Sequence, residues 1–277
     1  MPVAPTIREA LDAAQQATDR IEARVLLREV LNQSDAWLLA HGDDPLTAAQ
    51  AQQYVALVVR RVAGEPIAYI TGRREFHGRE FVVSPAVLIP RPETELLVEL
   101  ALQRLPLGAP SRVLDLGAGS GCIGITIAAE RPQTQVTLVD ASETALEIAR
   151  ANAGQWAPGN TTLLHSDWYS AVAAERYDLI VANPPYVAEG DAHLQQGDLR
   201  FEPRSALAAG VDGLSDLQQI IARAPQHLRA GGWLLLEHGF DQAVACAWLL
   251  EAAGFQDVIN APDLAGVPRV SGGRLQD

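Results

Sequence analysis

The spacing of apolar residues changes character twice along the chain. At first it is helical: "DRIEARVLLREVLN" (19–32) sets Ile21, Val25, Leu27, Val30 and Leu31 at mostly helical intervals. Thr6-Ile7-Arg8-Glu9 opens an earlier helix with the pattern in which a threonine and a glutamate cap each other's backbone, and Thr47 with Gln50 opens a later one, "LTAAQAQQYVALVVRRVAG". "SDAWLLAHG" supplies a short helix between them. Residues 1–64 are expected to form a small helical bundle. From Pro66 to Pro92 the pattern alternates instead. "YITGRREFHGREFVVSP", with Gly72 and Gly78, predicts a β-hairpin and places a linker at 65–92. "IPRPETELLVELALQRL" then starts a helix, with Pro92 at or near its first position and acidic residues in its first turn.

Beyond Pro110 short apolar runs alternate with amphipathic helices. "RVLDLG", "QVTLVD", "TTLLHSD", "YDLIVAN" and "GWLLLEHG" predict strands, and "SETALEIARANA" and "LSDLQQIIARAPQHL" predict helices between them. This is the rhythm of an α/β open parallel sheet of Rossmann-like type, whose ligands sit at the carboxyl ends of the strands. The last segment, "FQDVINAPDLAGVPRVSGGR", offers two extended pieces around Pro262 and Gly266 that suit an antiparallel hairpin at the sheet edge.

Composition narrows the function classes. The 277 residues suffice for one large domain and a small one. No apolar run approaches the roughly 20 residues of a membrane span, and Met1 to Thr6 lacks a basic segment followed by an apolar one, so no signal peptide is expected. Cys122 and Cys246 form no CxxC and read as reduced thiols of a cytoplasmic protein, and the six histidines show no metal-ligand spacing. The formal charge is −13, and all 21 basic residues are arginine. A duplex-binding protein normally gathers cations, so stable nucleic-acid binding is not expected. Arg73, Arg74 and Arg79 form the strongest basic cluster and read first as a solvated hairpin.

Four strand ends carry candidate chemistry. "VLDLGAGSGCIGI" ends an apolar strand at Asp115 and follows it with Gly117, Gly119 and Gly121, which permit a tight turn and close ligand approach ahead of a helix. A glycine turn can serve strand-helix geometry alone. Asp140, 19 residues after Gly121, ends the next strand where a carboxylate can accept from ribose hydroxyls. Asp167 and Trp168 end the third strand, where a carboxylate and an indole can grip an adenine. Trp168 alone reads more simply as a packed aromatic, and His165 as structural with no evident partner. "IVANPPYVAE" ends the fourth. Pro184 and Pro185 lack backbone N–H groups and fix φ, so the strand stops at Asn183 and a stiff loop begins. The Asn183 side-chain oxygen and the Pro184 carbonyl are two fixed acceptors for a planar –NH₂ group, and Tyr186 can pack on its flat carrier.

Asp115 to Gly121, Asp140 and Asn183-Pro184-Pro185-Tyr186 resemble the S-adenosyl-L-methionine-dependent methyltransferases that alkylate conjugated amino nitrogens. "AYITGRREFHG", "VLIPRPETELLVE", "DLRFEPRSALAAGVDGL" and "EHGFDQ" narrow the resemblance to the bacterial peptide chain release factor N5-glutamine methyltransferases, over nearly the whole chain. The resemblance implies a seven-stranded class I methyltransferase domain at 93–277 behind a helical substrate-recognition domain. It implies S-adenosyl-L-methionine contacted by Gly117, Ala118, Gly119, Ser120, Gly121, Asp140, Trp168 and Asn183, with S-adenosyl-L-homocysteine as product. It implies a glutamine, that of the release-factor GGQ motif, held by Asn183, Pro184, Pro185 and Tyr186, with Asn183 and Pro184 as the catalytic acceptors. A cytoplasmic monomer without metal is the accompanying expectation.

Other readings share parts of this pattern. A DNA adenine-N6 methyltransferase would hold a duplex and flip a base, which the charge disfavours. An rRNA guanine-N2 methyltransferase is the nearer alternative. A nicotinamide dehydrogenase is disfavoured by Cys122 where its third glycine would stand, and a non-enzymatic cofactor-binding module by the intact Asn183 and glycines.

Overall fold

The computed structural model describes residues 4–157 and 159–276. The N-terminal reading above rests partly on Met1, Pro2 and Val3, which lie outside the described residues. The chain divides into two compact units, one of Met1–Arg73 with Gly197–Phe201 and one of Arg74–Gln196 with Glu202–Asp277.

The smaller unit holds α1 (Ile7–Ala14), α2 (Arg20–Leu31), α3 (Asp35–Ala40), α4 (Ala48–Val62) and α5 (Ile67–Thr71). Both expected capping boxes form, Thr6 with Glu9 and Thr47 with Gln50. The core gathers Ile7, Leu26, Leu27, Leu38, Leu46 and Tyr54. Two expectations change. Ile21 is 73% exposed, because the face that α2 buries is centred on Ala23, Leu26 and Leu27. Tyr69 to Thr71 are helical, not strand; the Thr71 hydroxyl donates to the Ile67 carbonyl, and Gly72, at φ 73°, ends the helix. The hairpin therefore begins later, as β1 (Arg73–Phe76) and β2 (Arg79–Val82).

The larger unit continues with a 3₁₀ turn over Pro92–Thr94 and α6 (Glu95–Arg104). Then follow β3 (Arg112–Leu116), α7 (Cys122–Glu130), β4 (Gln135–Asp140), α8 (Glu143–Trp156), β5 (Thr161–His165) and β6 (Tyr177–Ala182). The chain closes with α9 (Ser215–Arg223), β7 (Leu228–Glu237), α10 (Ala243–Ala252), β8 (Phe255–Pro262) and β9 (Pro268–Leu275). These build a seven-stranded sheet in the order β5-β4-β3-β6-β7-β9-β8. The first five strands run parallel, and β9 lies antiparallel between β7 and β8.

Alternation along each strand sorts side chains to two cores. Val113, Leu179, Val181 and Leu235 face the layer of α6 and α7. Leu114, Leu116, Ile180, Ala182, Leu234 and Leu236 face the layer of α9 and α10. After β3 the chain runs outward to β4, and after β6 it runs the other way to β7. The carboxyl ends of the paired strands β3 and β6 thus flank the switch point where open α/β sheets leave a crevice.

One side chain ties the hairpin to this crevice. Asn152 on α8 is fully buried; its Nδ2 donates to the carbonyls of Val82 (3.0 Å) and Ser120 (2.9 Å), and its Oδ1 accepts from Val82 N–H (2.8 Å). Asn152→Ala leaves the Val82 and Ser120 backbone groups without these partners. At about 1–3 kcal/mol for each buried group left unpaired, urea denaturation is expected to show a loss of about 2–4 kcal/mol.

Candidate active site

Between β3 and α7 the chain turns through Gly117, Gly119 and Gly121, all with positive φ. The turn is held from β4. The Val139 carbonyl accepts from Gly117 N–H (2.9 Å) and Ala118 N–H (3.0 Å). Asp140 accepts Gly119 N–H at Oδ2 and Ser142 N–H at Oδ1, both at 2.8 Å, which leaves each oxygen one further acceptor position. A Cβ on Gly117 would stand 3.3 Å from the Trp168 ring, so the missing side chain there lets the indole lie against the loop. A Cβ on Gly121 would come within 2.5 Å of Ile125, so that glycine serves the packing of α7.

A cavity of about 360 Å³ opens beside this loop, within the usual ~300–1,000 Å³ of small-ligand sites. Gly117, Ala118, Gly119, Ser120, Asp140, Trp168, Asn183 and Pro185 line it. Gly121, Pro184 and Tyr186 are not among its lining residues. The Tyr186 hydroxyl instead donates to Glu237 Oε1 at 3.3 Å. Asp167 lines the same cavity, and so does Asp216, whose carboxyl is raised by burial and by the nearby Asp167 charge. His165 has a partner after all, the Ala141 carbonyl at 2.8 Å from Nε2. In the arginine cluster, Arg73 pairs with Glu29 and Arg79 with Glu130, so two of the three cations are spent on ion pairs.

Asn183 stands where β6 ends. Its Nδ2 donates to Thr94 Oγ1 at 3.3 Å, and its Oδ1 is buried with no partner among the described residues. A buried acceptor left open beside a cavity is the feature expected of a ligand site. Thr94 belongs to the Pro92–Thr94 turn and was not singled out by sequence reasoning; neither were Asp216, Arg91, Glu202 and Glu237. Arg91 donates to both oxygens of Glu202, at 2.7 and 2.8 Å, and the Glu202 side chain is fully buried. Glu237 ends β7 behind the run Trp233-Leu234-Leu235-Leu236. An acidic residue closing such a run was the available sign of a buried carboxylate.

The chain matches the family model "Methyltransferase small domain" over residues 92–200 and "PrmC N-terminal domain" over residues 6–72. It is 51% identical to the release factor glutamine methyltransferase of Xylella fastidiosa strain Temecula1 over 264 residues, 95% of this chain and 96% of the relative. It is 46% identical to that of Escherichia coli K12 over 269 residues, 97% of each. The chain belongs to the release factor glutamine methyltransferase family. Solved structures carry the fold alone. A methyltransferase from Pyrococcus furiosus superposes with a TM-score of 0.55 at 18% identity, covering 79% of this chain and 98% of that one. The T. thermophilus 16S rRNA N2 G1207 methyltransferase, in complex with AdoMet and guanosine, gives 0.54 at 22%, covering 74% and 50%. This family membership sets the expected seven-stranded methyltransferase sheet in place, with its strand ends at the crevice described above.

Electrostatics at the strand ends is dominated by burial. Asp115 is fully buried under the glycine loop; its Oδ2 accepts from Gly124 N–H at 2.9 Å, and its Oδ1 has no partner among the described residues. Burial pushes its carboxyl up to about 7, the Gly124 hydrogen bond opposes this, and the Asp140 charge adds to it. Both thiols, Cys122 and Cys246, are pushed by burial up to about 12, which leaves them unreactive at neutral pH.

A carboxyl raised in the folded chain keeps its proton where the unfolded chain has released it. Its contribution is therefore full below about pH 4 and is lost as pH rises to about 7. Thermal or urea unfolding across that window is expected to show Asp115→Asn losing less stability than the wild type, by on the order of 4 kcal/mol.

Proposed function

We propose that the chain transfers a methyl group from S-adenosyl-L-methionine to the side-chain amide nitrogen (N5) of a glutamine in bacterial class 1 peptide chain release factors, the glutamine of the GGQ motif, and so tunes translation termination. The observation that carries the reading is the open Asn183 Oδ1 at the end of β6, beside a cavity bordered by the glycine loop. The cavity fits the cofactor: Asp140 keeps acceptor positions for ribose hydroxyls, and Trp168 and Asp167 flank a place for the adenine. Gly117 to Gly121 and Asn183 complete the proposed contact set. When bound, S-adenosyl-L-methionine supplies a methyl group already activated by the positive sulfonium to which it is attached.

The remaining difficulty belongs to the acceptor. A glutamine amide nitrogen is a poor nucleophile, because its lone pair is delocalised into the carbonyl. The chain's own task is alignment. Asn183 Oδ1 and the Pro184 carbonyl accept the two amide hydrogens and hold the nitrogen at reacting distance, about 3–3.5 Å. The same acceptors stabilise positive charge as it builds on the nitrogen, a preorganised electrostatic effect. The nitrogen gains the methyl and gives up one proton, which is acidic enough to leave to water, so no side chain is assigned as base. Pro185 and Tyr186 stiffen the loop and flank the substrate carboxamide. The reading includes S-adenosyl-L-homocysteine as product, a cytoplasmic monomer and no stable nucleic-acid binding.

One carboxamide offers little surface for discrimination, so recognition of the factor is assigned to the helical unit. Val55, Val59 and Val62 on α4 are each more than half exposed and stand at helical spacing, an apolar stripe suited to a protein substrate. Domain limits of 1–64, 65–92 and 93–277 belong to the same proposal.

The decisive experiment is mass spectrometry of a release factor incubated with the chain and methyl-labelled cofactor. The label is expected on one glutamine, and its absence there, or its appearance on RNA, ends this reading. Asn183→Ala is expected to fold normally and to lose about 10²–10³ in kcat. Steady-state kinetics near the wild-type rate would remove Asn183 from the site. Val55→Asp combined with Val59→Asp is expected to raise KM for the intact factor by about tenfold or more, a loss of ~1.4 kcal/mol of binding. Cofactor affinity, measured by calorimetry, is expected to stay unchanged in that variant.

A further inference from the structure

Gln242 stands in the turn between β7 and α10, at the position just before the helix begins. Asparagine, aspartate, serine and threonine stabilise a helix from that place, because their short side chains accept from its free N–H groups. Gln242 makes no such bond to α10. Its side chain is buried and turned to the loop that follows β6. Nε2 donates to the Tyr186 carbonyl at 3.0 Å and to the Gly213 carbonyl at 3.3 Å, and Oε1 accepts from Gly239 N–H at 2.9 Å. Two carbonyls at one end of the carboxamide and an N–H at the other admit one orientation, since the reversed amide would set oxygen against oxygen.

The Tyr186 carbonyl occupies a space that glycine leaves open. Gly213 has φ 73°, and a Cβ there would stand 2.3 Å from the Tyr186 oxygen and 2.9 Å from Gln242 Nε2. The turn after β7 also holds the Tyr186 side chain, whose hydroxyl donates to Glu237 Oε1 at 3.3 Å. Just downstream, Val187 N–H donates to the Leu207 carbonyl and Ala209 N–H to the Val187 carbonyl, both at 2.9 Å. These bonds tie the loop to the 207–213 segment, and Gln242 ties both to the end of β7.

We propose that Gln242 is a positioning residue of the active site: its carboxamide pins the Tyr186 carbonyl and, through two rigid prolines, sets the direction of the Pro184 carbonyl. The near end of the loop is already fixed, because Ala182 is paired with Leu116 on one side and Leu236 on the other. Between Ala182 and Tyr186 the rings of Pro184 and Pro185 lock φ at both residues. With each end held, the ψ of Pro184 that aims its carbonyl has little freedom. Releasing Tyr186 frees it, and the acceptor swings. The inference rests on the proposed function for the use of that acceptor, whereas the clamp itself consists of bonds within the chain. Gln242 is not among the residues lining the cofactor cavity, so its loss is expected to strike turnover and spare cofactor binding.

The test uses the full chain with S-adenosyl-L-methionine and a release factor. Q242E keeps the side-chain volume and an acceptor for Gly239 N–H, but sets an oxygen where Nε2 donated. Q242M removes all three bonds. In each, kcat is expected to fall about 10- to 100-fold, the scale of a misplacement near 1 Å. KM for the factor and the dissociation constant of S-adenosyl-L-homocysteine are expected to stay within about threefold of wild type. G213A, which crowds the Tyr186 carbonyl from the other side, is expected to show the same split. Hydrogen exchange read by mass spectrometry is expected to quicken about tenfold at the Val187, Glu189 and Ala209 amides of Q242E and Q242M. A folded Q242E, Q242M or G213A with wild-type kcat, or a loss matched in S-adenosyl-L-homocysteine binding, overturns the proposal. Should the wild type methylate no release factor, the functional reading fails separately. Exchange then decides, and unchanged protection at those amides overturns the clamp without reference to activity.

Discussion

A strand that cannot continue is the constraint on which the site depends. β6 lies in the middle of the sheet, hydrogen-bonded to β3 on one side and β7 on the other, and its last paired residue is Ala182 opposite Leu116. Pro184 and Pro185 have no N–H to extend either ladder. The chain must leave the sheet at Asn183, in register with the point where β3 gives way to the glycine turn. Two departures from adjacent strands, heading to opposite sides, leave the crevice between them. The Pro92–Thr94 turn closes one wall of it, and Thr94 reaches Asn183 from there.

The carboxyl edge of the sheet also collects carboxylates, and their surroundings give them separate work. Asp140 keeps partial access to solvent and spends one bond from each oxygen on the backbone of the glycine turn and of Ser142. Asp115, one residue before the end of β3, and Glu237, at the end of β7, are both buried, and the loss of water raises both toward neutrality. Arg91 and Glu202 show the opposite solution: a fully buried carboxylate held by a two-pronged guanidinium, which joins the turn before α6 to the segment beyond the NPPY loop.

Local rules read most of the elements correctly. Thr6 and Thr47 cap where their four-residue patterns place them, and the five apolar runs after Pro110 become the five parallel strands. The errors share a cause. Ile21 fits helical spacing yet faces solvent, because the buried arc of α2 is chosen by its neighbours in the bundle. Tyr69 to Thr71 alternate like a strand yet close a helical turn ended by Gly72, because five residues hold too little pattern to separate the two periods. His165 looked solitary because its partner, the Ala141 carbonyl, lies in another strand's loop.

The sequence by itself determined where strands stop, which turns need glycine, and which residue types stand at those ends, since proline geometry and glycine φ are properties of one or two residues. Family-specific segments extended that to the whole chain. The tertiary structure alone decided which ends share a cavity. Gly117, Asp140, Trp168 and Asn183 meet there, whereas Tyr186 turns its hydroxyl to Glu237 and Gly121 serves the packing of α7. It also decided the partner of Asn183. Thr94 stands 89 residues away from it in sequence (183 − 94), and nothing in the local pattern couples the two. Burial and hydrogen-bond direction are set by whatever the fold brings to the other side of a group, and that information is not local to any stretch of chain.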